Sequence, residues 1–184
     1  MIPLEDQLRA MVMAAKGRPE ALRAVRSLAL PQGAIGAGYI RAAVWDSLSG
    51  QGNSEVDDID VIYFDPATAS PEADEMQEAR LRGIVPQLNW SVRNQARMHR
   101  RNGDRPYTSV EDAMRHWLET PTCVAVSLDA AGHLHVIAPY GLDDLFGMRI
   151  RPTPRGRERK AAYLGRLQAK SWCSSWPGVT VLDE

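Results

Sequence analysis

The nine residues Asp57–Asp65, DDIDVIYFD, constrain this 184-residue chain more than any other stretch. Read as a strand over 58–64, its side chains alternate, so Asp58, Asp60, Ile62 and Phe64 share one face and Ile59, Val61 and Tyr63 the other. Alternate residues on one strand face stand roughly 6.5–7 Å apart. Two carboxylates at that spacing repel unless a cation lies between them or water screens them. A pair of hard oxygen donors at the mouth of an apolar strand suits Mg2+ or Mn2+. The same nine residues also fit a strand mouth with two solvated acids, and alone they leave both readings open.

A second stretch upstream, GAIGAGYIRAAVWDSL, reads as a short strand at 33–36, a turn at Gly36-Ala37-Gly38 and a helix of about 38–48. Ile40, Val44 and Leu48 form its apolar stripe. Glycines at a strand-to-helix turn let backbone approach a ligand, and the first N–H groups of a helix favour phosphate oxygens. The turn lacks the third glycine of a dinucleotide fingerprint and the Gly-Lys-Thr of a P-loop. Beside an Asp-x-Asp strand it becomes a phosphate cradle facing a metal site. Arg41, one turn into the helix, suits either a phosphate group there or an ordinary surface charge.

Taken together, these features resemble the head domain of the DNA polymerase beta-like nucleotidyltransferase superfamily. More closely, the chain is similar to a family of small bacterial nucleotidyltransferases related to the head domain of CCA-adding enzymes. The segments carrying the likeness are AGYIRAAVWD, DDIDVIYFD, WSVRNQARMH, PYTSVEDAMRHWLETPT and APYGLDDLF, spread over about residues 34–154. The resemblance implies an α+β fold, a mixed sheet flanked by helices. It implies transfer of NMP from an NTP to a hydroxyl acceptor, with two Mg2+ or Mn2+ ions held by Asp58 and Asp60. Gly36, Ala37 and Gly38 would meet the phosphates, and Arg41 the pyrophosphate leaving group. In the basic segment SVRNQARMHRRNGDR, Arg93 and Arg97 are placed to face the cleft, while Asn94 suits either a base edge or a helix N-cap.

The chain departs from the superfamily pattern in two places. Asp58 lies twenty positions after Gly38, a longer interval than usual. The strand expected to carry a third carboxylate offers Trp90-Ser91-Val92, and a serine hydroxyl is a poor Mg2+ ligand and no general base at neutral pH. Ser91 therefore keeps alternatives in view: a non-catalytic nucleotide- or metal-binding module, or an interaction protein. Asp143 and Asp144 in GLDDLF are candidates for the missing acid but read better as the polar side of a helical turn.

The remaining sequence supplies a scaffold. Residues 1–30 read as a helical hairpin broken at Gly17, 33–154 as the family core and 155–184 as a C-terminal helix (near 156–171) and tail, all in one domain over 1–184. Ser70-Pro71 opens a helix ending at Gly83. Ser109 with Asp112 caps another over 110–117, and TCVAVSL-DAAG-HLHVIAP is a β-hairpin. Trp45, Trp90 and Trp117 fall on apolar faces and are expected to pack inside. A net charge of −1 provides no general attraction to nucleic acid. Cys123 and Cys173 form no metal-binding motif or disulfide framework, and no signal-peptide or membrane-spanning pattern occurs. The expected setting is cytoplasmic, and the expected acceptor is a small molecule or a protein, not a large nucleic acid.

Overall fold

The computed structural model describes residues 2–52, 54 and 56–182. The chain opens with the hairpin of α1 (Leu4–Ala14) and α2 (Arg18–Ser27), joined at Gly17, whose φ of +82° favours glycine. Leu8, Val12, Leu22 and Val25 are buried at helical spacing, so the hairpin's apolar stripe faces the body of the protein.

Strand β1 (Ala34–Gly36) leads into α3 (Gly38–Ser49), then β2 (Ile59–Tyr63), α4 (Pro71–Ile84), β3 (Trp90–Asn94), α5 (Gln95–Asn102) and α6 (Val110–Met114). The hairpin of β4 (Ala125–Leu128) and β5 (Leu134–Ile137) follows. Beyond it come α7 (Asp143–Phe146), β6 (Arg149–Ile150), α8 (Pro154–Glu158), α9 (Lys160–Lys170), α10 (Trp172–Ser175) and β7 (Thr180–Val181). The main sheet has the order β3-β2-β1-β4-β5. Within this sheet β2 and β3 run parallel, with α4 as their crossover, and the other pairs are antiparallel; β6 and β7 form a separate parallel pair. The sheet is therefore mixed and flanked by helices, as expected for the α+β class.

Several boundaries move. The acidic strand begins at Ile59, so Asp58 precedes the ladder. Helix α4 runs through Gly83 to Ile84, and α6 stops at Met114. The helix expected near 156–171 is two helices that meet at Arg159. The cause lies at Gly156: a Cβ there would stand 2.2 Å from the Leu118 carbonyl oxygen. Glycine lets α8 seat directly on the Leu118 backbone, where Thr153 N–H donates to Leu118 O at 3.0 Å. The chain must then turn before it continues as α9.

The two sheet faces differ. Ile35, Ile59, Val61, Tyr63, Trp90, Val92, Val124 and Val126 join the principal core with residues of α1, α2 and α3. Ala34, Ile62 and Ala125 point the other way, into a smaller cluster with Val110 and Met114 of α6 and the flanking Phe64 and Trp117. Trp45 and Trp90 are buried, with indole N–H groups donating to Leu145 O and Val85 O. Trp117 is only half-buried and lies at the edge of the second face. No described helix is long and apolar enough to cross a membrane.

Candidate active site

The second face of the sheet carries the polar residues. In the parallel β2–β3 ladder Asp60 pairs with Ser91 and Ile62 with Arg93. Because Trp90 and Val92 enter the principal core, Ser91 and Arg93 lie on the side of Asp60. Next to β2, β1 ends in the glycine turn. A Cβ on Gly36 would stand 3.3 Å from Trp117 Cη2 and 3.4 Å from Ile62 Cδ1, so glycine lets the indole lie close against the strand. Ala37 takes φ 53° and ψ −126°, a strained conformation for an L-residue that costs about 1–3 kcal/mol. Helix α3 then starts at Gly38 without a side-chain cap, leaving its first N–H groups free of one.

A cleft of about 380 Å³ opens above this face. Ala37, Asp60, Ile62 and Arg93 line one part of it; Gln95, Met98 and Asn102 of α5, with His116, Trp117 and Glu119, line another. Arg159, Ala162 and Arg166 come from the α9 segment. Asp60 is half-buried, and its carboxyl is pushed up to about 6. Burial is the main cause and the neighbouring Asp58 charge adds to it, against the opposing pull of Arg166, Arg93 and Lys170. Lys170 Nζ lies 3.2 Å from Asp57 Oδ2, which brings the end of α9 to the acidic segment.

Arg41 occupies neither of the positions the sequence suggested, the open cleft or the surface. Its guanidinium is buried between Trp45 and Trp172, with the cationic carbon 5.0 and 4.6 Å from the ring centres. Burial pushes it down to about 10, while Glu119 and Asp60 favour its charge. One Nη lies 3.7 Å from where a Gly38 Cβ would be, so the cation sits directly behind the turn. Glu119 is buried too, its Oε1 2.7 Å from Arg166 Nε and its Oε2 accepting from Thr122 Oγ1 at 2.9 Å. Its charge is paired with Arg166 and also favours the ionised form of Arg41.

Other expected residues are placed elsewhere. Arg97 Nε donates to Asp74 at 2.9 Å, and this buried carboxylate also accepts from Tyr63 Oη and the Asn94 backbone. Arg97 is thereby tied to α4 and does not line the cleft. Asn94 caps α5, accepting from Ala96 N–H, and is not free to read a base. Asp144 pairs with Arg149 and Arg151 and accepts from Thr120 Oγ1, a structural role that matches its reading as one side of a helical turn. Among the described residues no group of three or more His, Cys, Asp or Glu side chains is arranged to hold a metal. Any ion at Asp58 and Asp60 would draw its remaining ligands from phosphate and water, as Mg2+ commonly does. The raised carboxyl of Asp60 and its repulsion by Asp58 give the pair a reason to take a cation.

That strain predicts a pH-dependent stability difference. A raised carboxyl holds its proton more tightly when folded, so its contribution is present below the unfolded value and is lost as pH rises through about 6. In EDTA, Asp60→Asn should exceed wild type by about 2–3 kcal/mol at pH 7.5, a gap closing toward pH 4. Urea unfolding at both pH values checks this; a gap independent of pH would contradict it.

Comparison with known proteins agrees with this architecture. A family described as nucleotidyltransferase matches residues 23–181. A protein solved by NMR and described as a CCA-adding enzyme head domain is 31% identical, with a TM-score of 0.86 over 97% of this chain and 96% of that one. A CCA-adding enzyme in complex with CTP (11% identity, TM-score 0.61) and the Thermotoga maritima CCA-adding enzyme with tRNA (13%, 0.59) share the fold over 97% of this chain. The chain spans 43% and 42% of those two enzymes. No curated protein matches. With most of its length matched by the family and its fold shared end to end with a head domain, the chain belongs to the nucleotidyltransferase family.

Proposed function

We propose that this protein transfers a nucleoside monophosphate from an NTP to the hydroxyl of a small molecule or a protein side chain. The observation that carries the reading is the half-buried Asp60, raised by burial and by Asp58, in a cleft shared with a glycine turn and several guanidinia. Asp58 and Asp60 would hold Mg2+ or Mn2+, which when bound supplies Lewis-acid polarisation of the α-phosphate and lowers the pKa of the attacking hydroxyl. The Gly36–Gly38 turn and the start of α3 offer backbone N–H groups to phosphate oxygens. Arg41 acts from behind that turn as a fixed, desolvated positive charge, and Arg93 from the neighbouring strand. Trp117 and Ile62 form an apolar wall on one side of the cleft.

The CTP and tRNA of the distant CCA-adding enzymes belong to proteins more than twice as long, and only the use of a nucleotide is carried over in this reading. Thermal unfolding tests it. With Mn2+ and a cognate NTP at 100 times the dissociation constant, wild type should gain about 2.7 kcal/mol, and Asp60→Asn nearly none. Four NTPs with Mg2+ or Mn2+ that all leave the wild-type melting temperature unchanged would contradict the reading.

A further inference from the structure

Helix α9 lies along the cleft with one stripe turned toward it. Arg159, just before its first residue, Ala162 and Arg166 line the cleft, and Lys170 reaches Asp57. Ala162, Arg166 and Lys170 follow at four-residue spacing on one helix face, and Arg159 is the N-cap residue just before them. Arg159 donates to the Asn102 carbonyl at 3.3 Å, whereas Lys170 sits by the acidic segment, so the stripe spans the cleft. Seven residues separate Arg159 from Arg166, about 10 Å of helix. The small side chain of Ala162 leaves space between the two guanidinia.

The charges do not balance along this stripe. Three guanidinia, Arg93, Arg159 and Arg166, line the cleft with the carboxylates of Asp60 and Glu119; Arg41 is buried behind, and Arg93 is partly balanced by Glu78 at 3.5 Å, which leaves the imbalance with Arg159 and Arg166. Glu119 is ion-paired with Arg166 while its charge also favours that of the buried Arg41, so it does not neutralise both. Arg159 bonds only to backbone carbonyl among its described hydrogen bonds. Once a divalent ion engages Asp58 and Asp60, the cleft holds an excess of fixed positive charge in a partly dry space, which calls for an anion.

We propose that the Arg159–Arg166 stripe of α9 is a polyphosphate site, binding the β- and γ-phosphates of the nucleotide, with Glu119 as the positioning residue that aims Arg166. This deepens the nucleotidyl-transfer reading and rests on it for the identity of the nucleotide, but not for the presence of the anion site. The site selects triphosphates over monophosphates, because only the longer anion reaches α9. The ion pair with Glu119 is made at the Arg166 Nε, and no described hydrogen bond occupies the two terminal nitrogens, which are the donors offered to a phosphate.

Calorimetric titration with Mg·ATP, Mg·CTP, AMP, CMP and inorganic tripolyphosphate tests this on the full chain. Wild type is expected to bind tripolyphosphate and at least one NTP. Arg166→Gln should weaken both by tenfold or more and Arg159→Gln by about threefold to tenfold, with monophosphate binding changed less than twofold. Arg166→Lys should recover part of the loss, and Glu119→Gln should weaken triphosphate without touching monophosphate. Circular dichroism melting identifies any variant that fails to fold, and Arg166→Lys then carries the comparison. Wild-type affinities retained in both Arg166→Gln and Arg159→Gln would overturn the α9 site while leaving nucleotidyl transfer intact. A tripolyphosphate site lost in Arg166→Gln, in a protein that binds no NTP, would keep the anion site and overturn the nucleotide reading. A wild type that binds none of the probes would overturn both.

Discussion

Asp58→Asn and Asp60→Asn should each reduce NMP transfer by a factor of at least 10³ while leaving the fold intact. The expectation follows from position: Asp60 lines the cleft, its carboxyl is held near 6 by burial, and the Asp58 charge acts on it. Losing a carboxylate that holds a catalytic ion removes several kcal/mol of transition-state stabilisation, and about 1.4 kcal/mol corresponds to each factor of ten. Pyrophosphate release measured with each NTP in the presence of cell extract reads the effect. Release that survives both substitutions would place the chemistry elsewhere. Unchanged circular dichroism keeps the result from being a folding defect, since Asn occupies nearly the same volume and the Asp60 carboxylate accepts no hydrogen bond among the described residues.

The largest stability effect should come from Glu119→Ala, at about 3–5 kcal/mol of destabilisation. Arg41 is buried between two tryptophans, and Glu119 is the foremost of the charges that favour its ionised form. Removing Glu119 leaves that cation in a poorly solvating site and also strips Thr122 of its carboxylate partner. For a chain of this size the melting temperature should fall by about 6–20 °C. The double variant Arg41→Met/Glu119→Gln should recover much of the loss, because it also removes the buried cation that Glu119→Ala leaves without its nearby charge. A single variant that loses less than about 1 kcal/mol would mean that water or Asp60 already compensates Arg41.

The sequence was informative where local pattern determines structure. Period-two alternation placed Asp60 and Ile62 on one face and Val61 and Tyr63 on the other, and the structure has them so. Ser70, Asn94 and Ser109 act as N-caps, each accepting from the backbone of its own helix. The glycine turn stands where the strand gives way to α3. Positions that depend on which surfaces meet were less legible. Arg93 and Arg97 are four residues apart in one basic run, yet only Arg93 lines the cleft, because the buried Asp74 on α4 draws Arg97 away. Nothing local to Arg41 indicates that Trp172, 131 positions later, closes over it.

The same limit hid the second half of the cleft. Glu119, Arg159 and Arg166 are distant in sequence and meet only because α8 is seated on the Leu118 backbone through Gly156 and Thr153. A basic stripe in a C-terminal helix is ordinarily solvated, and its spacing alone does not reveal a cleft beneath it. The signal available in advance was Gly156 itself, a glycine at the first position of the expected helix, where a missing Cβ permits close backbone approach.

The central claim is metal-dependent transfer of the α-phosphate at Asp60, and one labelling measurement tests it most directly. The protein is incubated with an α-³²P-labelled NTP, Mg2+ or Mn2+ and a fractionated extract, and products are resolved by charge. The expected result is label moving into an acceptor together with an equivalent of pyrophosphate, abolished by EDTA and by Asp60→Asn. Label that stays in NDP with orthophosphate released, or transfer that persists in EDTA, would contradict it.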